Sequence, residues 1–549
     1  MQFLMWVLNL CLILSLHLPT ICGQTQEKSE LDEAAPAACS EVDRAALLGF
    51  KASVLKDSTD ILSSWTGKDC CGGNWEGVDC DPLTGRVNSL ILQRPADGKQ
   101  LSVFMKGILS PSLGNLHFLQ VMVISGLKRI GGPIPESFSN LSRLTQLVLE
   151  DNFLQGEIPS SLGNLPMLQI LSLSGNYFSG QIPPSLGNLR NLQQLSLARN
   201  SLTGQIPTTF KNLVNLQSFD VSFNALSGTI PDFIGKLQNL TFLTLTSNQF
   251  SGQIPVSLGG LVKLSELSLG HNHLVGQIPL QLGNLKSLSI LSLDSNQLTG
   301  QIPESISQLQ NLWNLNLSRN VFADPLPKTF SRGLPSLLSI DLSYNNFSLG
   351  TIPEWIINRE LSSVYLAGCE LRGKLPNFTR PDSLSSIDLS DNYFTDGLAD
   401  FFAKMSSLEL AKISNNQLNT DVAAIKFPDG LSTIDLHANQ LYGSLSSILN
   451  NKTSKFLEVI DISNNQISGS IPEFGTGFLN LKVLNIASNK IGGQIPSSIS
   501  NLAKLERLDI SRNQIGGTIP TMTYAHNLCL CGKPLPPCKG KNQRKLMSQ

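Results

Sequence analysis

The chain has 549 residues, and at about 150 residues per domain this length alone suggests three or four globular domains. Lysine and arginine total 40 against 41 aspartates and glutamates, so the net charge is −1 and no basic excess points to nucleic acid as a partner. Hydrophobic residues make up 41% of the chain, which is enough for a folded core and excludes a largely disordered protein.

The N-terminal segment reads as a targeting sequence. Residues 4–22 are mostly apolar and contain no Asp, Glu, Lys or Arg, and their length could span a bilayer. Their position predicts a signal peptide over 1–23, with an uncleaved anchor as the alternative. Residues 24–38 predict a disordered lead-in. Every later apolar run is interrupted by charges or turns, so we expect no membrane span after the signal peptide.

A repeat organises the rest of the chain. Asparagines recur every 24 residues from Asn152 to Asn320 and then at intervals of 23 to 26, with one cysteine in the series. Apolar residues stand eight, five and three positions before each, as in LQILSLSGN (168–176). We call these positions the ladder residues: Asn152, Asn176, Asn200, Asn224, Asn248, Asn272, Asn296, Asn320, Asn345, Cys369, Asn392, Asn416, Asn439, Asn465, Asn489 and Asn513.

The repeat predicts stacked units rather than separate domains. In L-x-x-L-x-L-x-x-N, the two apolar residues two apart face the same side of a short strand, and a buried Asn can satisfy backbone groups of adjoining turns. A single unit cannot bury its own leucines, so neighbouring units must stack to form the core. With strands about 4.8 Å apart, the predicted parallel sheet is on the order of 80 Å long.

The chain resembles the plant extracellular leucine-rich-repeat proteins, which include receptor-like proteins, receptor-kinase ectodomains and polygalacturonase inhibitors. One motif that carries the resemblance is the 24-residue unit with L-x-G-x-I-P, as in LQGEIPSSLGNL (154–165). Another is the front segment CSEVDRAALLGFKASVLKD (39–57), followed by LSSW (62–65) and CCGGNWEGVDCD (70–81). The last is NLCLCGKPLPPC (527–538) near the C-terminus.

The resemblance implies an α/β fold: a leucine-rich-repeat solenoid, curved as a right-handed superhelix, with a parallel β-sheet on the concave face and disulfide caps at both ends. We expect an N-terminal cap over 39–86, about 18 plant-type repeats over 87–520, and a short C-terminal cysteine cap with a basic tail over 521–549. In the N-terminal cap, residues 41–55 predict an amphipathic helix, with Trp65 and Trp75 packing beside it.

Ten cysteines fit an oxidising compartment. The resemblance implies the pairs Cys39–Cys70 and Cys71–Cys80 at the front. At the rear, Cys531–Cys538 is expected to close a short loop. Cys369 is expected to be a buried free thiol in the ladder. Cys529 is left without its usual partner, which indicates a truncated isoform, a faulty gene model or genuine divergence of the rear cap.

The concave wall is the predicted binding surface. We expect outward-facing positions six, four and two residues before each ladder residue. The column of residues four positions before the ladder is hydroxyl-rich at the front and acidic at the rear. This pattern indicates either an extended ligand-binding track, with a cationic partner at the rear, or only the common family repeat. Aromatic and arginine side chains near this column are candidate binding anchors, with random scatter as the alternative. These candidates are Phe223, Phe242, His271, Trp313, Arg319, Tyr344 and Tyr365.

Two further features mark the surface. The units led by Asn392, Asn416 and Asn439 lack the I-P signature, which indicates a partner surface or decayed repeats. Six N-x-S/T sequons fit a secreted glycoprotein: Asn140, Asn239, Asn316, Asn346, Asn377 and Asn451. Asn316 is predicted to face the concave wall, where a glycan would block part of the track.

No enzyme, cofactor or metal site is predicted. Gly235–Lys236 lacks the upstream glycine of a phosphate-binding loop. His271 and His273, with Glu266 nearby, lack the further ligands that a metal site needs. We find no set of nucleophile, base and orienting group in the sequence.

These observations predict a non-catalytic extracellular recognition module without a kinase. It would bind a protein, a peptide or a wall saccharide and act with a membrane co-receptor kinase in defence or development. The alternative is an inhibitor of secreted cell-wall-degrading enzymes such as polygalacturonase. We expect the protein in the apoplast or cell wall, or at the outer face of the plasma membrane.

Overall fold

The computed structural model describes residues 38–93, 103–449 and 456–517. The predicted signal peptide, nearly all of the lead-in, the C-terminal cysteine cap and the sequon at Asn451 lie outside these ranges. Within the described ranges, none of the helices has the length and apolar character needed to cross a bilayer.

The N-terminal cap begins with the helix Glu41–Ser53, which buries Ala46, Leu47 and Phe50 on one face. The predicted helix over 41–55 therefore ends two residues early, because Val54 turns into the strand Val54–Asp57. Both tryptophans pack as predicted: the ring centroids of Trp65 and Trp75 are 5.4 Å apart and those of Phe50 and Trp65 are 6.3 Å apart.

Two disulfides hold the cap, and both predicted pairings are confirmed. Cys39 pairs with Cys70 and Cys71 with Cys80, with Cα–Cα distances of 5.3 and 5.4 Å. An ion pair between the buried Asp43 and the half-buried Arg86 joins the helix to the strand Arg86–Gln93, because Arg86 donates two hydrogen bonds of 2.8 Å to the Asp43 carboxylate. The cap thereby covers the apolar end of the solenoid.

One long sheet begins in the cap with the strand Val78–Asp81 and continues with one strand from each repeat. Its first two strands form an antiparallel hairpin and all later neighbours are parallel, as predicted. The strands are Val78–Asp81, Arg86–Gln93, Val121–Ser125, Gln146–Val148, Ile170–Ser172, Gln194–Ser196, Ser218–Asp220, Phe242–Thr244, Glu266–Ser268, Ile290–Ser292, Asn314–Asn316, Ser339–Asp341, Ser363–Tyr365, Ser386–Asp388, Leu410–Lys412, Thr433–Asp435, Val459–Asp461, Val483–Asn485 and Arg507–Asp509.

The core and the ladder form as the repeat predicts. The apolar residues before each ladder position are buried in one continuous cluster that runs through the stacked units. At a typical ladder position, the Asn272 amide donates to the carbonyls of Leu245, Leu269 and Gly270 at 3.0 to 3.1 Å. Its oxygen accepts a 3.0 Å bond from the backbone N–H of Phe250. Each amide thus joins two consecutive repeats.

A second sheet, which the sequence analysis does not predict, runs beside the first. It is an 11-stranded sheet that is parallel except at its first pair, and its last eight strands directly follow ladder positions. Its strands are Val54–Asp57, Met105–Ile108, Lys128–Gly132, Phe153–Glu157, Tyr177–Gln181, Ser201–Gly204, Ala225–Thr229, Gln249–Gln253, His273–Gly276, Gln297–Gly300 and Val321–Phe322. Two shorter pairs continue it further along: Arg372–Lys374 with Tyr393–Asp396, and Tyr442–Ser444 with Gln466–Ser468.

The side opposite the main sheet is built from 3-10 turns more than from α-helices. The α-helical content is therefore lower than the predicted α/β fold class suggests. The glycine of the L-G-N-L motif permits close stacking there, because a Cβ on Gly163 would lie 2.3 Å from the Ser185 carbonyl oxygen. Since these turns are bulkier than strands about 4.8 Å apart, the main sheet takes the concave side. Among the residues that the structure describes, the other α-helices are Glu354–Ile357 and Leu398–Phe401.

Within the described ranges, the 3-10 helices are Ile61–Ser64, Pro111–Asn115, Glu136–Asn140, Ser160–Asn164, Pro184–Asn188, Thr208–Asn212, Asp232–Lys236, Val256–Gly260, Leu280–Asn284, Glu304–Gln308, Lys328–Ser331, Pro381–Ser383, Val422–Ala424, Leu445–Ser447, Thr476–Phe478 and Ser497–Asn501. In most repeats with an intact I-P signature, the proline directly precedes a 3-10 helix, as Pro183 does in extended backbone. Pro353 instead precedes the α-helix Glu354–Ile357, and Pro472 does not adjoin the 3-10 helix Thr476–Phe478 that follows it. The units that lack the signature replace it with shorter or α-helical turns.

Candidate functional site

The residue immediately before each ladder position turns the chain off the concave sheet in left-handed backbone. At non-glycine residues φ lies between 50° and 56°: Asp151, Arg199, Phe223, Ser247, His271, Ser295, Arg319, Tyr344, Asp391, Asn415, Ala438, Asn464, Ser488 and Arg512. This conformation costs about 1–2 kcal/mol for residues with a Cβ. It is offset by backbone hydrogen bonds to the next repeat, such as the 2.7 Å bond from the Tyr344 N–H to the Ala367 carbonyl.

The corner residues, as we call this column, project from the concave face, whereas the residues two before the ladder do not. Ser174 is 1% exposed, and its hydroxyl lies 2.6 Å from that of Ser196. The prediction that this position faces outward is therefore wrong for most repeats. The main chain reverses after the strand, so the corner residue takes the outward direction and a small residue fills the space behind it.

Four of the seven predicted anchors are corner residues: Phe223, His271, Arg319 and Tyr344. The other three stand in or next to the strands of the main sheet. Phe242 begins its strand and Tyr365 ends its strand, while Trp313 directly precedes Asn314–Asn316 and is half-buried. The seven residues do not form one cluster, because the contact between two of them, Arg319 and Tyr344, does not extend to the rest.

We call Arg319, Tyr344, Asp391 and Asn415 the central cluster. The Arg319 guanidinium lies over the Tyr344 ring, 4.4 Å from its centroid. The Tyr344 hydroxyl donates a 2.5 Å hydrogen bond to Asp391, which also accepts a 2.9 Å bond from Asn415. Sequence reasoning missed Asp391 and Asn415, although both occupy the same place in the repeat as Arg319 and Tyr344.

A glycine makes the central cluster possible. Gly368 stands at the corner between Tyr344 and Asp391, with a φ of 61°. A Cβ at this position would lie 2.8 Å from Cδ1 of Tyr344, so any side chain would obstruct the ring that passes over it. The Tyr344 hydroxyl therefore reaches a residue two repeats away. Burial, and next the hydrogen bond to Asp391, raise the pKa of Tyr344 to about 12.

Carboxylates line the concave sheet from front to rear. Burial raises the pKa of Glu150, Asp220, Glu266 and Asp341 above the ordinary values for their side chains. Glu150 and Glu266 lie beside the column of residues four positions before the ladder. The front half of the concave face is therefore more acidic than that hydroxyl-rich column alone indicates. Hydroxyls of neighbouring residues stabilise these groups, as Ser268 does by donating 2.9 Å to Glu266.

Two histidines on this face pair with aspartates. Nε2 of His271 lies 3.3 Å from Asp294, and Nδ1 of His437 lies 2.7 Å from Asp435. The hydrogen bond to Asp435 raises the pKa of His437. Among the described residues, His271, His273 and Glu266 do not form a metal-binding group.

One mixed set of possible metal ligands lies near the rear of the concave face. Donor atoms of Asp435, His437 and Asp461 all lie within 4.8 Å of one another. These groups already have protein partners, because Asp435 bonds to His437 and Asp461 accepts a 2.7 Å bond from Asn485. The set is fully explained by these hydrogen bonds.

The described sequons differ in exposure. Asn140, Asn346 and Asn377 are exposed, and Asn239 is half-buried. Asn316 ends a main-sheet strand, and its side-chain oxygen accepts bonds of 3.1 and 2.8 Å from the N–H and hydroxyl of Ser318. A glycan on Asn316 would stand next to the central cluster, so occupancy there remains a prediction with a direct effect on the site.

Family models match most of the described chain. A leucine rich repeat N-terminal domain matches residues 40–81, and a leucine-rich repeat region matches residues 99–229. Further leucine rich repeat models match residues 215–274, 287–309, 336–358 and 456–515.

Individual proteins show the same likeness. The polygalacturonase inhibitor of Vitis vinifera is 32% identical over 112 residues, which is 20% of this chain and 30% of that protein. Receptor-like protein EIX1 of Solanum lycopersicum is 34% identical over 127 residues, 22% of this chain and 12% of that protein. The matched stretches thus cover a third or less of the length of these relatives.

A solved structure resembles nearly the whole described chain. The leucine-rich-repeat ectodomain of the plant membrane receptor kinase GASSHO1/SCHENGEN3 from Arabidopsis thaliana has a TM-score of 0.71 and 33% identity. The likeness covers 87% of this chain and 56% of that one. Together with the capped, parallel solenoid, these matches show that the chain belongs to the plant extracellular leucine-rich-repeat proteins, in the group of receptor-like proteins and polygalacturonase inhibitors.

Proposed function

We propose that the protein is a non-catalytic extracellular recognition module that binds a peptide or protein segment at the central cluster of its concave face. The cluster is the observation that carries the proposal. It joins an exposed arginine, an aromatic ring and a carboxylate across four corner positions. Aromatic and arginine side chains contribute most per residue at binding surfaces.

The charges of the cluster suit a peptide. Arg319 forms no ion pair with a described residue, so its guanidinium is available for a carboxylate of the ligand. Asp341 and Asp388 lie on the neighbouring strands and would receive amines or backbone N–H groups. Tyr344, held from both sides, loses little further side-chain freedom on binding, which favours affinity.

The similarity to a solved ectodomain also supports the binding of a peptide or protein segment. The GASSHO1/SCHENGEN3 ectodomain was solved in complex with CASPARIAN STRIP INTEGRITY FACTOR 2. For the present chain, we extend this to a signalling role in defence or development together with a membrane co-receptor kinase. A wall saccharide on the concave face is the less favoured ligand, because the partly buried carboxylates there would repel an acidic sugar.

Selection from a phage-displayed random-peptide library on the secreted protein tests this proposal. We expect enriched peptides whose affinity falls at least tenfold in the double variant Arg319→Ala, Tyr344→Ala. The matched control is Arg372→Ala, Tyr393→Ala, which removes a similar pair, 4.9 Å apart, from the separate two-stranded sheet of Arg372–Lys374 and Tyr393–Asp396. If no peptide is enriched, or if the two double variants behave alike, the proposal is wrong.

Inhibition of a secreted wall-degrading enzyme is the second candidate, and the similarity to the Vitis vinifera polygalacturonase inhibitor favours it. Purified protein is mixed with fungal polygalacturonases, and release of reducing ends from pectin is measured. A dose-dependent fall in hydrolysis would support the inhibitor function. Unchanged hydrolysis at excess protein would set it aside.

A further inference from the structure

The second sheet is interrupted next to one of the exposed sequons. Its 11-stranded part ends at the strand Val321–Phe322, and the next repeat adds only an isolated bridge between Ala323 and Asn346. In that next repeat, the segment from the ladder residue to the I-P signature is one residue longer than in the other repeats with the signature. The Ser348 N–H bonds to the Asp324 carboxylate, at 2.6 Å. A depression opens between the two repeats at this point.

The depression is large enough for a small ligand and has an apolar wall. Its volume is about 430 Å³, within the range of about 300–1,000 Å³ that is typical of ligand pockets. Leu349 and Trp355 are half-buried, so each packs partly on the core and partly lines the depression. Three prolines from the two repeats complete this wall: Pro325, Pro327 and Pro353.

The Trp355 ring is fixed by its neighbours. Its centroid lies 5.6 Å from that of Phe330, with an angle of 85° between the two rings. The Arg359 guanidinium lies 5.5 Å from the Trp355 centroid and donates three hydrogen bonds of 2.7 to 3.0 Å to backbone carbonyls. A ring that is already held in place loses little freedom when a ligand packs on it, which favours binding.

The exposed Asn346 lies beside the entrance of the depression. Ser348, which lines the depression, stands two residues after it, and residues two apart in extended backbone share a face and lie about 6.6 Å apart. The bridge partner of Asn346 is Ala323, and Pro325 stands two residues after that alanine. Because Ala323 is small, a group attached to the Asn346 amide has an open path to the depression.

Charges of both signs stand near the depression. Its lining includes one acidic and one basic residue, Asp324 and Lys328. The Glu370 carboxylate and the Arg372 guanidinium, on the next repeat, form their own ion pair of 3.8 Å. Glu354 follows Pro353 in the chain and is exposed. Since neither sign dominates, a neutral ligand with hydrogen-bonding groups fits this site better than a strongly charged one.

We propose that the depression holds the first sugar of an N-linked glycan on Asn346. That sugar is N-acetylglucosamine, which is neutral and carries an apolar acetamido methyl group beside its hydroxyls. The methyl group and one face of the sugar ring would pack on Trp355 and the prolines. The hydroxyls and the acetamide N–H would bond to Lys328 and Asp324, because an ionised carboxylate retains acceptor sites after one bond.

Tethering favours this occupant over a free one. A proline-rich peptide from another protein could also cover a wall of tryptophan and proline. A sugar attached to Asn346 is already next to the depression, so its effective concentration there is on the order of millimolar before any contact forms. The proposal requires that the protein is secreted and glycosylated, and it does not depend on peptide binding at the concave face.

Hydrogen–deuterium exchange of the full secreted chain tests the proposal, after peptide mapping has measured the occupancy of Asn346. We expect exchange in the segments 324–328 and 348–355 to be at least fivefold faster in Asn346→Gln than in the wild type, because loss of the sugar uncovers the gap. Endoglycosidase trimming to a single N-acetylglucosamine should change this exchange less than twofold. If the trimmed protein exchanges like Asn346→Gln, the first sugar is not the occupant.

A matched pair of variants at Ser348 separates the glycan from the asparagine itself. Ser348→Ala removes the sequon and Ser348→Thr keeps it, while both retain the backbone N–H that bonds to Asp324. We expect Ser348→Ala to exchange like Asn346→Gln, and Ser348→Thr to exchange like the wild type. Asn140→Gln, which removes an exposed sequon at the front of the solenoid, should leave both segments unchanged.

Acrylamide quenching of Trp355 fluorescence gives a second readout. The signal is the difference between each protein and its Trp355→Phe counterpart, and its quenching should rise at least twofold when the glycan is absent. Affinity for a selected peptide should stay unchanged in Asn346→Gln, so a failure of either proposal is seen separately. The proposal is overturned if secreted protein carries no glycan at Asn346, or if Ser348→Ala and Ser348→Thr behave alike. Slow exchange of 324–328 that persists in Asn346→Gln would also overturn it and would show that another group covers the depression.

Discussion

At the residue scale, the ladder amide decides whether two repeats can stack. Asn272 is 6% exposed and satisfies three carbonyls and one N–H of its own and the preceding unit. The sequence predicts this role correctly, because an asparagine spaced so regularly among buried leucines must find backbone partners. Cys369 is the exception, since its thiol contacts the carbonyls of Leu342 and Ala367 at 3.6 Å only.

Restoring the amide at Cys369 should stabilise the protein. In other repeats the ladder oxygen accepts from the N–H two residues after the preceding ladder position, as Asn345 does from Phe322. The cysteine cannot reproduce this bond for Phe347. We expect Cys369→Asn to raise the free energy of unfolding by about 1 kcal/mol, measured by urea denaturation. Cys369→Ala is the matched comparison and should not gain stability; a loss in Cys369→Asn would contradict the ladder account.

The titration of Tyr344 tests the central cluster. Its pKa is raised from 10.0 to about 12, so its contribution to stability is complete below pH 10 and is lost as the pH rises toward 12. The difference spectrum between the wild type and Tyr344→Phe should therefore report a phenol that ionises near pH 12. Asp391→Asn should lower this pKa, because it removes the neighbouring negative charge. Ionisation of Tyr344 near pH 10 in the wild type would rule out the observed contact.

The left-handed backbone of the corner residues could not be predicted from the residues alone. Left-handed backbone is uncommon for arginine, tyrosine and phenylalanine, so local preference argues against it at Arg319, Tyr344 and Phe223. The hydrogen bond from each corner N–H to the next repeat imposes it, and that bond exists only after stacking. Residue type alone was enough to choose the candidate anchors from the sequence. The corner column that four of them share, and the place of Asp391 and Asn415 in it, are visible only in the structure.

At the element scale, the second sheet is the main feature that the sequence does not predict. Its strands are short, and residues such as Gly180 and Gly204, both with positive φ, are poor strand formers when considered alone. Pairing between neighbouring repeats creates the strands once the main sheet fixes the spacing. The cap was easier to predict, because its helix periodicity and cysteine pattern are local signals.

The two cap disulfides should differ in how much they stabilise the protein. Cys39–Cys70 closes a separation of 31 residues and Cys71–Cys80 one of 9. Removing the first with serines should cost about 2–4 kcal/mol, and about 1 kcal/mol more than removing the second, because the longer loop gains more entropy on unfolding. Thermal unfolding of the two double variants measures the difference. The reverse order would contradict a loop-entropy origin.

At the scale of the whole molecule, stacking produces two separate outer surfaces from one repeat. The concave sheet presents partly buried carboxylates and the central cluster, while the second sheet presents cations and aromatic rings at its front. The sequence predicted the solenoid and the concave wall, because leucine spacing determines both. It could not predict which side chains meet, because contacts such as the one from Tyr344 to Asp391 join residues of different repeats.

Hydrogen–deuterium exchange of the full chain, with and without a peptide selected on it, tests the central claim most directly. The account predicts that slowed exchange on binding centres on the concave segments that hold Arg319, Tyr344, Asp391 and Asn415. The Arg319→Ala, Tyr344→Ala variant should show no such change at the same peptide concentration. Protection confined to the 3-10 turns of the opposite side, with the concave segments unchanged, would contradict recognition by the concave face.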